Sequence, residues 1–356
     1  MKIIKELMPI ITFFDFKGEI KTITLYGNGH INKTFLIATT KDNYIFQVIN
    51  SYAFKNIDVL VNNIYIVTDH LSKKNVPSLE MIPTLTKALY YSDSRNYYRM
   101  YKFVTGTKCY EEIENLEMVT LTAEAFGDLH YNLSDLDANL LKEVIPHFHD
   151  TPKRYRDLLD AKEKDVKGRF NTCINEFNDV ELLKDKFDLI TSALDKKEIP
   201  LKITHNDPKI NNVLFDEKTN EVKCVIDLDT VMPGSVLYDF GDALRSLFTG
   251  SNEDNIDPST CRVNFDIYRA YLSGYYSKMA NALNDKEIEL LPYAPFVLSI
   301  ECGIRFLEDY LRGDVYFHTT YPEHNLVRAR TQINQAKDIL NNIDKLKEIT
   351  KEITGR

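Results

Sequence analysis

The 356-residue chain is 44% hydrophobic and 27% charged, ordinary for a globular protein and long enough for one large core or two lobes. A formal net charge of −9 argues against a dedicated nucleic-acid binder, although a local nest of N–H groups and lysines can still hold an anionic nucleotide. Five dispersed cysteines, odd in number and without a CxxC pair, point away from a disulfide framework or zinc site and predict reduced thiols.

The opening MKIIKELMPIITFF has a glutamate inside its apolar run and no small-residue cleavage site, so it does not read as a signal peptide. No run of about 18 apolar residues is found, so no spanning helix, no membrane partner and a cytosolic location are expected. TITLY (22–26) and KTFLIAT (33–39) flank GNGHIN (27–32), and YIFQVIN (44–50) follows KDN; this predicts a strand meander. The stretch 59–71 places Leu60, Ile64, Val67 and Leu71 on one helical stripe. A further strand is expected at 97–104. Beyond Thr105-Gly106 the pattern turns helical, at 118–133, at 180–196 as one charged amphipathic helix, and at 327–353 as one long amphipathic helix. That last stripe is expected to pack on its own lobe, in a monomer. Two short strands, near 201–204 and 222–228, interrupt the helical half. With no repeat and no Gly/Ser/Pro linker, the chain reads as an α+β protein of two lobes. A small antiparallel β-rich lobe (1–104) is expected to lead into a larger, mainly helical lobe (105–356).

The strongest chemical signal is ITHNDPKINNVLFDEKTNEVKCVIDLD (203–229). His205, Asp207 and Asn212 form H-x-D-x-x-x-x-N, and Asp227 ends an apolar strand twenty residues after Asp207. This is the layout of the protein-kinase-like phosphotransferases. A carboxylate at Asp207 can orient an acceptor hydroxyl and take its proton. Asn212 and Asp227 offer the neutral and anionic oxygens that magnesium prefers, and Asp229, two residues along the strand, falls on the same face as a third candidate ligand. Lys209 can reach a γ-phosphate from the catalytic loop. The literal string Asp239-Phe240-Gly241 lies too far past the base to hold the metal; Asp239 is expected to cap a helix or brace the loop. The bland alternative is that His205 and Asp207 merely shape a turn.

HNDPKINNVLFD, VIDLDTVMPG, YDFGDALRS and FLEDYLRGDVYFHTTYPEHNLVRARTQ together resemble the N-acetylhexosamine 1-kinase branch of the aminoglycoside phosphotransferase and choline kinase superfamily. The resemblance runs from the glycine loop to the last helix and implies a bilobal protein-kinase-like fold. It also implies ATP and Mg2+ as cofactors, and phosphorylation of the anomeric C1 hydroxyl of an N-acetylhexosamine. It makes His30, Arg305 and Tyr316 candidate sugar contacts beside Asp207.

Gly27, Asn28 and Gly29 form a candidate phosphate loop, equally explained as a hairpin turn. His30 at its tip is either a loop residue or a sugar contact. The hinge from Met100 to Val104 is expected to face adenine, with Tyr101, Phe103 and Val104 as candidate positions. Arg305, among apolar neighbours, needs a partner, either a ligand or an internal carboxylate such as Glu301 or Asp309. In 148–159, His149 and Asp150 are not expected to form a dyad, and Asp150 or Thr151 is expected to cap a helix. Two departures stand out. Gln47 occupies the strand position where kinases carry a phosphate-binding lysine, and Asn62 or Asn63 stands where its glutamate partner belongs. Neutral amides supply no charge, which keeps open a nucleotide-binding pseudokinase; other acceptors (an aminoglycoside, choline, another sugar or an amino alcohol) stay open as well.

Overall fold

The computed structural model describes residues 2–27, 31–248, 257 and 261–356. Chain order is α1 (Lys2–Ile11), β1 (Ile20–Leu25), β2 (Lys33–Thr39), β3 (Asn43–Ile49), α2 (Ile57–Lys73), β4 (Met81–Ile82), β5 (Tyr91–Ser92), β6 (Tyr97–Lys102), β7 (Thr107–Lys108) and α3 (Leu116–Leu133). Next come α4 (Thr151–Lys164), α5 (Ile174–Leu183), α6 (Leu189–Asp195), β8 (Lys202–Thr204), β9 (Val213–Asp216), β10 (Val222–Val225), β11 (Met232–Gly234) and α7 (Val236–Phe248). Five helices close the order: α8 (Phe265–Met279), α9 (Asp285–Leu290), α10 (Ala294–Arg312), α11 (His324–Asn341) and α12 (Ile343–Thr354). The expected α+β class is the observed one, with an antiparallel sheet early in the chain and helices later.

Two compact units are present. Met1–Cys109, Asp135–Pro146 and Asn212–Pro233 form the first; Tyr110–Ser134, His147–Asn211 and Gly234–Arg356 form the second. The first unit holds an antiparallel sheet in the order β1-β2-β3-β6-β4, with β5 also on β6. Alternation sorts its residues by face. Phe35, Ile37, Tyr44, Phe46, Tyr98 and Met100 join Leu7, Ile11 and Phe14 in one apolar core. Arg99 and Tyr101 therefore lie on the other face of β6, and both are buried. In a second sheet, β10-β9-β7, the metal-ligand candidates flank the strands: Asn212 immediately precedes β9, and Asp227 and Asp229 follow β10. The predicted stripe on α2 is realised, since Leu60, Ile64, Val67 and Leu71 are all buried, and Asn56 caps its start by accepting from the Val59 N–H.

In the second unit α3 packs on α8, and α10 packs on α4, α7 and α11. The run Asp285–Arg312 is long and apolar enough to cross a membrane, which the sequence reading did not anticipate. Yet 83% of its most apolar window is buried inside this protein, as befits the central helix of a core. Two expected helices are each broken. The 180–196 segment splits into α5 and α6 around a 3-10 turn at Lys184–Lys186, which brings Phe187 into the core. The terminal helix breaks at Asn342, whose side chain donates to the Asp338 carbonyl and ends α11 before α12 begins. Asparagine competes with the helix by such local bonds. Periodicity alone did not show the break.

Candidate active site

Asp207 lies in the second unit. Thr204 ends β8, and the chain then turns through Asn206, held in the left-handed region at φ 66. Asparagine tolerates this better than most residues because its side chain bonds locally; here its Oδ1 accepts from the Thr204 hydroxyl at 3.1 Å. What fixes the turn is Asp239, fully buried in the first turn of α7. Its Oδ2 accepts the His205 N–H and its Oδ1 the Asn206 N–H, each at 2.6 Å. The His130 ring meets Oδ2 at 2.7 Å through Nε2, and its Nδ1 lies 2.8 Å from the Tyr275 hydroxyl. Burial presses Asp239 towards the neutral acid, but bonding to His130 and to the loop holds its carboxyl below the usual range. The expected bracing role is the one observed. Phe240 and Gly241 are packing residues: Phe240 sits among Tyr268, Tyr271 and Tyr275, and a Cβ on Gly241 would lie 2.5 Å from the Ala294 carbonyl oxygen.

Asp207 follows at once, half-buried, its N–H donating to His205 Nδ1 at 3.2 Å. Lys209 Nζ lies 2.7 Å from Asp207 Oδ1, with its side chain about half exposed (48%). Desolvation opposes the lysine's charge, yet Asp207 and Asp242 keep its pKa above the ordinary value.

Arg305 belongs to the same unit and is partly exposed on α10. Both carboxylates that its spacing suggested as partners are engaged elsewhere. Glu301 takes His149 Nδ1 at 2.8 Å and the Thr151 hydroxyl at 2.7 Å. Asp309 accepts the Val315, Tyr316 and Phe317 N–H groups and the Asn325 amide, all at 2.9 Å. Among the described residues Arg305 forms no ion pair; its guanidinium sits 5.7 Å from the Phe148 ring and 5.5 Å from the Phe317 ring. Tyr316 is 73% exposed on the loop that Asp309 gathers. His149 and Asp150 form no dyad, as expected: Asp150 caps α4 by accepting from the Lys153 N–H at 2.9 Å.

The metal-ligand candidates lie in the first unit, which the chain enters at Asn212. Asp227 follows β10 in the left-handed region at φ 60 and is exposed. The Ile226 N–H donates to the Asn212 carbonyl at 2.8 Å, stitching the two candidate ligand positions together through their backbones. One exposed carboxylate and one amide oxygen suit magnesium, which keeps waters and phosphate oxygens as its other ligands. Among the described residues no group of three or more His, Cys, Asp or Glu gathers into a metal cluster of another type. Asp229 differs from Asp227. It is buried, its Oδ2 accepting from Asn32 Nδ2 at 2.7 Å and its Oδ1 lying 2.6 Å from Arg99 Nη2.

Arg99 was not singled out in the sequence. It stands opposite Gln47 in the β3–β6 register, donates through Nε to Gln47 Oε1 at 2.9 Å, and lies 5.3 Å from the Tyr101 ring. Burial works against its charge, but Asp229, Tyr101 and Asp227 hold the pKa above the ordinary arginine value. Gln47 spends its other end on the Thr34 hydroxyl at 3.0 Å. Asn63, rather than Asn62, is the buried amide of α2: it donates to the Lys142 and Val231 carbonyls at 2.7 and 2.9 Å and accepts the Lys142 N–H at 3.1 Å. On the hinge, the Phe103 N–H is committed to the Asn43 carbonyl at 2.9 Å, and the Val104 carbonyl accepts the Thr107 hydroxyl at 2.7 Å. The Tyr101 side chain is buried. Gly27 has φ +73 with open space where a Cβ would stand, as a close backbone approach requires. Asn28, Gly29 and His30 lie outside the described residues.

Residues 22–275 match the APH family, described as the phosphotransferase enzyme family. The chain belongs to the APH family. This phosphotransferase is similar over nearly its whole length to several solved structures. A microcompartment-associated aminopropanol kinase shares 16% identity over 97% of this chain and 98% of its own, with a TM-score of 0.65. An aminoglycoside phosphotransferase from Alicyclobacillus acidocaldarius shares 13% over 96% and 95%, with a TM-score of 0.63. A spectinomycin phosphotransferase in complex with ADP and spectinomycin shares 14% over 96% and 98%, with a TM-score of 0.58. At such identities these likenesses establish the kinase-like fold of the APH phosphotransferase. The family match ends before α10, so Arg305 and Tyr316 lie beyond it.

Proposed function

We propose that this APH phosphotransferase transfers the γ-phosphoryl group of MgATP to the anomeric C1 hydroxyl of an N-acetylhexosamine, giving the sugar 1-phosphate and ADP. In this reading residues 1–104 serve the nucleotide and residues 105–356 serve catalysis and the acceptor. Asp207 orients the acceptor hydroxyl and takes its proton as the new O–P bond forms and the bond from Pγ to the β-phosphate oxygen breaks. Lys209 lies on the γ-phosphate. Asn212 and Asp227 hold magnesium, which when bound neutralises charge building on the phosphates. Gly27 with Asn28 and Gly29 approaches the phosphates, and the Phe103–Val104 backbone faces adenine. Nucleotide use is supported by the family and by the ADP complex of the spectinomycin phosphotransferase.

The observation that carries the acceptor assignment is Arg305. A cation with no carboxylate among the described residues, near the Phe148 ring and the Phe317 ring that packs against exposed Tyr316, suits a neutral, hydroxyl-rich acceptor with an amide carbonyl and repels an amine. Glu301, Glu308 and Asp309, the acids nearest to it along α10, are already committed, Glu308 to Arg312 at 2.8 Å, which leaves none of them to receive an ammonium group. Arg305 and Tyr316, with His30 from the loop, are the proposed sugar contacts.

The test is ADP release with N-acetylglucosamine, N-acetylgalactosamine, glucose, galactose, choline and kanamycin, with the product's phosphate placed by phosphorus–proton coupling in NMR. Turnover on the N-acetylhexosamines with phosphate on C1 is expected. Turnover confined to choline or kanamycin would keep the kinase and remove the sugar assignment.

A further inference from the structure

A nucleotide triphosphate brings several negative charges, and kinases meet part of them with a lysine on the strand here called β3. This chain has Gln47 there. Gln47 supplies no charge, and one bond is already made at each end of its amide: the oxygen receives Arg99 and the nitrogen donates to Thr34. The charge missing from β3 is found one strand away. Arg99 lies directly opposite Gln47 on β6, so the two side chains share one face of the sheet, turned from the apolar core that Tyr98 and Met100 fill.

We propose that Arg99 is the fixed cation of the nucleotide site, taking the place of the lysine absent at position 47, with Asp229 as the counterion that holds it. The inference rests on the nucleotide-binding reading given above. Three observations carry it. Arg99 is 1% exposed, and a buried guanidinium demands a reason. Of its nitrogens, Nε meets Gln47 and Nη2 meets Asp229, while Nη1 is buried and has no partner among the described residues, leaving donor capacity unused. The charge balance gives the third. Asp227 and Asp229 carry two negative charges, which a single magnesium ion only cancels. With Arg99 the set is net positive once the metal is bound, as polyphosphate binding requires. Asn32 fixes Asp229 from the loop side at 2.7 Å while its own Oδ1 accepts the Asn50 N–H at 3.0 Å, so the counterion is held from a second direction.

The role predicts an outcome that loss of packing alone does not: a lysine put back at 47 replaces Arg99. MgADP affinity is titrated by calorimetry on the full chain for the wild type, Arg99→Met and Gln47→Lys/Arg99→Met, each with a melting curve. Expected are at least a tenfold rise in Kd for folded Arg99→Met and recovery to within about threefold of wild type in the double variant, which again faces Asp229 with a cation. Should Arg99→Met not fold, the double variant alone decides. A folded Arg99→Met with wild-type Kd would overturn the inference and leave the kinase reading intact. So would a double variant that fails to fold or binds more than tenfold weaker. A wild-type protein that does not bind MgADP at all would remove both.

Discussion

Replacing Asp239 with asparagine strips the charge from a carboxylate that accepts two loop N–H groups at 2.6 Å and meets His130 at 2.7 Å in a fully buried setting. Asparagine keeps one acceptor oxygen, so at least one of those donors must face an NH2 group. Each charge-assisted bond contributes about 1.5–3 kcal/mol, but such bonds are not additive; loss of one member of a buried charged set costs about 3–5 kcal/mol. At about 2–4 °C per kcal/mol for a body of this size, the melting temperature should fall by roughly 6–20 °C. Because the brace sets the backbone of His205 and Asn206, and Asp207 comes next, kcat should fall by about a hundredfold while MgADP affinity holds. The pH response has a definite sign. Asp239 titrates below the ordinary aspartate value of about 3.9, so its contribution is fully present above that value and is lost as the pH falls through the lower, folded one. Asp239→Asn lacks this term, and its stability should fall less between pH 5 and pH 3 than that of the wild type. An Asp239→Asn protein with wild-type melting temperature and turnover would refute the bracing argument.

Arg305→Ala should raise the acceptor KM by roughly 10- to 100-fold, the worth of one or two hydrogen bonds from a charged donor, with the nucleotide KM unchanged in steady-state kinetics. Arg305→Lys should not rescue it, because lysine lacks the flat guanidinium that stacks on Phe148 and Phe317. Asn63→Ala should lower stability by about 2–4 kcal/mol in urea melts, since it strands the Lys142 N–H and C=O and the Val231 carbonyl. Asn63→Glu should be at least as damaging, because a carboxylate has no N–H to give the Lys142 and Val231 carbonyls.

What the sequence made legible was local. H-x-D-x-x-x-x-N and the stripe on α2 depend on neighbours within a few positions and lie where expected, whereas the apolar strand stops at Val225, so Asp227 follows it in the left-handed region and Asp229 lies in a 3-10 turn rather than on the strand's face. The capping by Asp150 and the bracing by Asp239 followed from residue type and spacing. What stayed hidden depends on contacts between distant segments. Arg99 pairs with Asp229, 130 positions on, and the pairing arises only once β3 and β6 are in register. A signal was present: an arginine flanked by Tyr97, Tyr98, Met100 and Tyr101 in one strand needs a buried partner. Arg305 was obscured in the opposite way, by plausible i±4 acids that other donors claim. The helix breaks at Lys184–Lys186 and Asn342 are local events in sequences whose apolar period runs on across them, so the hydrophobic pattern does not register them.

The central claim is that Asp207 is the base of an ATP-dependent phosphoryl transfer, and the direct measurement is ADP formation by wild type and Asp207→Asn with the acceptor that turns over fastest, beside MgADP affinity for both. Expected are wild-type turnover, a loss of about 10²–10⁴ in kcat for Asp207→Asn, and equal affinity for MgADP. Undiminished turnover in Asp207→Asn would contradict the assignment of the base. Stabilisation of the wild type by MgATP with no ADP formed on any acceptor would contradict catalysis itself and make the protein a nucleotide-binding pseudokinase.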